Sequence, residues 1–176
     1  MVKGSVIFLD LARQTGFCEG VPGEKPTSGT VRLAPTGSEP KAVYAGMMEF
    51  LVPRLRAFKY AMVSFEAPFD PRHMKTNFNT ARLLLGLPAI VEGVAHLTGH
   101  FNVREVRVDD VRKHLLGKRP AAGEAKKAVI ARLRALGFDP ADDNEADAIA
   151  GWLFVCAQVA PDRAPMTDPL FAGRSD

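Results

Sequence analysis

The 176-residue chain is short of the residues that most small metal-binding or disulfide-stapled proteins depend on. Its two cysteines, Cys18 and Cys156, lack metal-ligand spacing and lie in strand-like and helix-like apolar contexts. They read as reduced core residues rather than a bridge. The four histidines, His73, His96, His100 and His114, form no HExxH motif and no paired spacing, which argues against zinc. A phosphate-binding glycine loop and a GxSxG elbow are both missing, which removes P-loop nucleotide hydrolysis and the α/β-hydrolase class. No unbroken apolar run approaches the roughly 20 residues that cross a bilayer. The opening Met1-Val2-Lys3-Gly4 leads straight into a strand-like run that ends in an acid, unlike a secretory signal. A cytoplasmic protein without membrane association is expected.

What is present fits a soluble globular domain, with 47% hydrophobic and 24% charged residues. One domain is expected over residues 1–160. After Pro161 the chain is rich in Pro, Gly and Asp, so residues 161–176 are expected to form a loosely ordered tail. There is no internal repeat or low-complexity tract. The net charge of +3 hides an uneven distribution. From Arg104 to Arg134 ten Lys and Arg face four Asp and Glu, so this stretch carries +6 and the remainder is net acidic. A basic strip beside an acidic focus suits phosphate binding around a metal, although a solvated helix face has the same composition.

Apolar runs at 5–10 and 61–66 read as strands buried on both faces of a sheet. Thr15–Cys18 and about 30–33 read as two further strands, the latter after a loop holding Gly20, Pro22, Gly23, Pro26 and Gly29. Helical spacing covers 41–58, with Pro53 expected to kink or restart the helix. It recurs over about 77–100, where Leu84, Leu87, Val91, Val94 and Ala95 share a face and Pro88 is expected to divide two packed segments. A strand at 102–108 precedes a short helix over 110–116, capped by Asp109 and stopped by Gly117. A basic helix at 123–136 and a last helix at about 142–159 complete the chain. This order predicts an α/β fold, a mixed five-stranded sheet with helices on both faces, entered through a three-stranded meander and a right-handed crossover.

Three carboxylates stand out against that frame. Asp10 closes the first apolar strand, and Glu66 closes the strand at 61–66 with no helix start to cap. Asp147 lies in a helix among Ala146, Ala148, Ala150 and Gly151, residues small enough to let that helix approach a sheet closely. Asp10 has an ordinary reading as a turn cap and Glu66 as a surface strand-end acid, whereas Asp147 would be costly to bury unpaired and calls for a metal or a basic partner. Gathered at one place the three would repel strongly, which divalent cations relieve.

These elements resemble the RuvC-like Holliday junction resolvases of the RNase H-like superfamily, over roughly residues 5–159. The resemblance rests on Phe8-Leu9-Asp10 with Thr15-Gly16, then Phe65-Glu66-Ala67-Pro68-Phe69, then Asn77-Phe78-Asn79-Thr80-Ala81-Arg82 leading into Leu85-Gly86-Leu87-Pro88-Ala89-Ile90-Val91. It continues through Val111-Arg112-Lys113-His114-Leu115-Leu116-Gly117 and Ala125-Lys126-Lys127-Ala128-Val129 to Glu145-Ala146-Asp147-Ala148-Ile149-Ala150. It implies an RNase H-like fold and a Mg²⁺-dependent endonuclease that nicks four-way or otherwise branched DNA. Two Mg²⁺ ions, with Mn²⁺ as an acceptable substitute, would be held by Asp10, Glu66 and Asp147. The position three residues before the final Asp, an acid or His in that family, is Asn144 here. Either Asp143, one turn before Asp147, or Asn144 through its amide oxygen completes the set, with Asp143 preferred. Phe69 matches a base-stacking aromatic. Arg112 or Lys113, together with Lys126, match basic residues near the scissile phosphate, and Lys118 and Arg119 of the basic strip are further candidate DNA contacts. The region 77–100 matches the family's dimerisation helices, which implies a homodimer with paired sites. The loop from Gly117 to Gly123 is longer than in cellular members, as expected for a phage-type or divergent one. The competing readings are a nuclease of the same fold acting on RNA–DNA hybrids or flaps, and a non-catalytic junction-binding module.

Overall fold

The computed structural model describes residues 4–68, 78–118 and 123–163. Phe69, Arg119 and most of the expected tail (164–176) lie outside them. Five strands, β1 (Ser5–Asp10), β2 (Gln14–Gly20), β3 (Thr27–Arg32), β4 (Tyr60–Glu66) and β5 (Val103–Val106), form one sheet in the order β3-β2-β1-β4-β5. The β1–β2 and β2–β3 pairs are antiparallel, while β1–β4 and β4–β5 are parallel. The expected meander and crossover are therefore both present. Helices α1 (Pro40–Ala57), α2 (Phe78–Leu97), α3 (Val108–Leu116), α4 (Ala125–Ala135) and α5 (Asp143–Val159) cover the sheet.

Strand alternation decides which helices each face receives, because successive side chains point to opposite sides. Odd-numbered Ile7, Leu9, Val63 and Phe65 pack with α1 and α2 through Val43, Met47, Leu51, Leu87 and Val91. Even-numbered Val6, Phe8 and Met62 pack with α3, α4 and α5 through Leu115, Leu133, Ile149, Trp152 and Cys156. The single tryptophan is buried there, and its indole N–H donates to the Val6 carbonyl at 3.2 Å. Both cysteines are free and buried on this side, as expected.

Several local expectations need correction. β3 begins at Thr27, so Gly29 pairs with Phe17 within the ladder instead of lying in the loop. β5 stops at Val106, and the N-cap of α3 is Arg107; Asp109 lies in the first turn, where an acid favours the helix dipole. Pro88 lies inside one continuous helix, so α2 is not divided, and Pro53 likewise lies inside α1 without a restart. The buried row of α2 contains Leu83, with Leu84 only half-buried. By length and composition α2 is also apolar enough to cross a bilayer, with mean hydropathy 1.3 over a window of which 33% is buried in the protein. The sequence expectation had excluded any such segment.

Candidate active site

Asp10 and Glu66 are the last residues of two adjacent parallel strands, one step beyond the Leu9–Phe65 pair. Being even-numbered, both continue the series of Phe8 and Met62 toward α5 rather than toward α1 and α2. A one-residue slip of either strand would send its acid to the other face. Helix α5 brings Asp147 to the same end. Its approach depends on two glycines: a Cβ on Gly16 would overlap the Asn144 carbonyl, and one on Gly151 would overlap the Phe8 ring. The small residues around Asp147 thus do what the sequence required of them.

The start of α5 is tied to the far edge of the sheet. Asp142 caps it, accepting the Glu145 N–H at 2.9 Å and the Thr30 hydroxyl at 2.7 Å. Glu145 accepts the Ser28 hydroxyl at 2.7 Å and the Ala141 N–H at 2.8 Å. Asp142 was not singled out as functional, yet its charge also raises the Asp10 pKa. The Asp142-x-x-Glu145 spacing, close to a capping box, was the available signal.

Electrostatics links the acids. Burial, then the Asp147 charge, pushes the Asp10 carboxyl from 3.8 up to about 7, against the pull of Lys126. Burial, then Asp10 and Asp147, pushes Glu66 from 4.5 up to about 7, against Arg112. Asp147 is raised as well, chiefly by burial, while Arg112 and Lys126 hold it down. Two carboxyls that keep their protons to near neutrality, first because they are buried and then because of neighbouring acids, are groups whose ionised forms a bound cation would stabilise. A cavity of about 190 Å³ opens at the acids, lined by Asp10, Leu11, Glu66, Ala67, Pro68, Leu84 and Pro88.

The other sequence candidates divide. The Arg112 charge acts on both Glu66 and Asp147, and its Nε is buried with no hydrogen-bond partner among the described residues. Lys113, its neighbour, is exposed. The Lys126 ammonium lies 2.9 Å from Asp143 and also acts on Asp10 and Asp147. Asp143 is thus engaged by a lysine, whereas Asn144 is half-buried with its backbone against Gly16. Lys118 is exposed beyond the C-cap of α3.

Among the described residues no three His, Cys, Asp or Glu side chains converge closely enough to close around one ion. The donor chemistry nevertheless fits: these are oxygen ligands whose ionised forms a cation would stabilise, and Mg²⁺ keeps several waters rather than demanding a full protein cage.

No family model and no curated protein matches the sequence. Solved structures do. RuvC from T. thermophilus in complex with a Holliday junction substrate aligns over 92% of this chain and 98% of its own, with TM-score 0.69 and 21% identity. The fold is that of RuvC. A second T. thermophilus RuvC structure aligns over 88% of this chain and 95% of its own, with TM-score 0.64 and 20% identity. The yeast mitochondrial Holliday junction resolvase aligns over 90% and 81%, with TM-score 0.59 and 12% identity. The RuvC-like arrangement therefore extends over nearly the whole chain at low sequence identity.

Proposed function

We propose that this chain is a Mg²⁺-dependent endonuclease that nicks four-way or branched DNA, working in the cytoplasm as a homodimer. The observation that carries the reading is the electrostatic coupling of Asp10, Glu66 and Asp147, three acids from three elements, at one end of a RuvC fold. Asp10, Glu66 and Asp147 would hold the metal, with Asp143 as the fourth acid once Lys126 turns to a phosphate. Bound there, Mg²⁺ would supply activation of a water and charge neutralisation at the leaving oxygen. The chain's own cations do the rest. Arg112, beside Glu66 and Asp147 and with an Nε unpartnered among the described residues, is placed to orient the scissile phosphate. Lys126 compensates the charge of Asp143 until DNA arrives. Lys113 and Lys118 line the approach, and Phe69 and Arg119 are retained as DNA contacts from the sequence resemblance.

Dimerisation is supported by the outer side of α2. Leu85, Ala89, Gly93 and Leu97 are all exposed and recur every fourth residue, a small-and-apolar ridge suited to helix packing. A two-fold pair would present two sites to a junction of matching symmetry.

The test is cleavage of a labelled four-way junction against matched linear duplex, in Mg²⁺ and in EDTA. Symmetric nicks on the junction alone, lost in EDTA and reduced at least about 100-fold in Asp147→Asn, are expected, since even residues behind a metal ligand are worth 10–100-fold. Equal cleavage of linear duplex, or none of either, would refute the assignment.

A further inference from the structure

The acid cavity shares one wall, Leu84, with a much larger cleft of about 940 Å³. This cleft lies between the β1–β2 turn, the start of α1 and the first turns of α2, and the described candidate DNA contacts, Arg112, Lys113, Lys118 and Lys126, do not line it. Among the described residues, Arg13, Lys41 and Arg82 line it against a single carboxylate, Glu39, with Ser38, Asn79 and the exposed Phe78. Arg13 is fixed in place: its guanidinium donates to the Ser38 carbonyl at 2.8 Å and the Pro35 carbonyl at 3.4 Å. Those bonds engage only part of a five-donor fork and leave its charge in place. Lys41 pairs with Glu39 at 2.6 Å, but its side chain is 83% exposed and can exchange that partner for another anion. Arg82 is exposed, while its backbone carbonyl is held by the Tyr44 hydroxyl at 2.6 Å, so the residue stands on a braced turn.

A polar, cationic trough that adjoins the acid cavity across Leu84 matches the chemistry of a sugar–phosphate backbone. We propose that this cleft is the track of the DNA strand leading away from the scissile phosphate, with Lys41 and Arg82 on successive phosphates and Arg13 as the rigid cation between them and the acids. The proposal rests on the nuclease reading and adds a second cationic track, separate from the strip between Arg104 and Arg134.

The test measures binding of a four-way junction in Ca²⁺ across a salt series, and cleavage in Mg²⁺, for wild type and Lys41→Ala/Arg82→Ala. Both replaced side chains are exposed, so the fold is retained, and Lys59→Ala serves as an exposed control at the opposite end of β4. Loss of two phosphate contacts should lower the slope of log affinity against log salt by about 1.4 to 1.8 and weaken binding about tenfold or more near 0.1 M salt. Cleavage at sub-saturating junction should fall in step with the lost affinity, and the Lys59→Ala control should bind and nick like wild type. Unchanged affinity and slope in a double variant whose parent still nicks junctions would overturn the track while leaving the nuclease reading intact. A parent that neither binds nor nicks junctions would overturn both.

Discussion

Replacing Asp10 by Asn should stabilise the metal-free protein at pH 8 and change it little at pH 4. In the fold the Asp10 carboxyl holds its proton to about 7, against 3.8 ordinarily, because burial and the Asp147 charge oppose ionisation. The sign follows from linkage. A folded-state pKa above the unfolded one means no penalty below about pH 4, a penalty that grows from pH 4 to 7, and a constant one beyond. Roughly three decades of proton affinity at 1.36 kcal/mol each set a ceiling of about 4 kcal/mol. Asp10 is only half-buried, so about 2–4 kcal/mol is the working range, or roughly 4–16 °C in Tm for a domain of this size. Thermal melts of both proteins in EDTA at pH 4, 5.5, 7 and 8 measure it. Carboxylates outside the cluster titrate alike in the two proteins and cancel in the difference, while relief of Glu66, whose pKa the Asp10 charge raises, adds to it with the same sign. The gap should open between pH 4 and 7 and then hold, and Mg²⁺ at pH 8 should raise the wild-type Tm while leaving the variant nearly unmoved. A gap independent of pH, or a variant less stable at pH 8, would show that Asp10 is an ordinary turn acid and not part of a strained carboxylate set.

Three further outcomes are expected. Arg112→Ala removes the cation that favours ionisation of Glu66 and Asp147, so the acid limb of the pH–rate profile for junction nicking should move to higher pH; an unmoved limb would separate Arg112 from the acids. Gly16→Ala inserts a methyl where the Asn144 carbonyl sits, and overpacking of this kind costs about 1–3 kcal/mol; urea unfolding should show that loss, with nicking reduced as α5 is pushed off the sheet. Leu85→Glu with Leu97→Glu places charge on the exposed ridge of α2 and should give a monomer by sedimentation with little change in Tm, since neither side chain belongs to the buried core.

The sheet was legible because its central strands are unbroken apolar runs buried on both faces, and the alternation of side chains along a strand assigns Asp10 and Glu66 to one face. Its edges were less so. β3 begins with Thr27-Ser28-Gly29-Thr30, which has no apolar alternation. It is braced from the other end of the chain, where Asp142 and Glu145 accept the hydroxyls of Thr30 and Ser28. No local pattern carries such a bond. In α2 the consecutive leucines 83, 84 and 85 supply an apolar residue in three directions, so periodicity could not decide which one is buried. Packing chose Leu83, gave Leu84 to the wall between two cavities and left Leu85 outside.

The fourth acid marks where sequence reasoning stops, for a related reason. Neighbouring residues on a helix differ by about 100° in direction, so Asp143 and Asn144 cannot both face Asp10. Which one does depends on the rotation of α5, and that rotation is set by contacts distant in sequence: the Asn144 backbone on Gly16, Gly151 on Phe8, and the cap through Asp142 to Thr30. With α5 so fixed, Asp143 reaches Lys126 on α4 and not the strand-end acids. On the proposed reading, a lysine that occupies the fourth acid would couple substrate binding to metal binding. If a DNA phosphate draws Lys126 away, Asp143 is released to the site at the moment its negative charge is needed. Lys126→Ala should accordingly bind Mg²⁺ more tightly than wild type in the absence of DNA, read by calorimetry, even as it nicks junctions more slowly. Equal Mg²⁺ affinity in the two proteins would mean that the Lys126–Asp143 pair is only a surface contact.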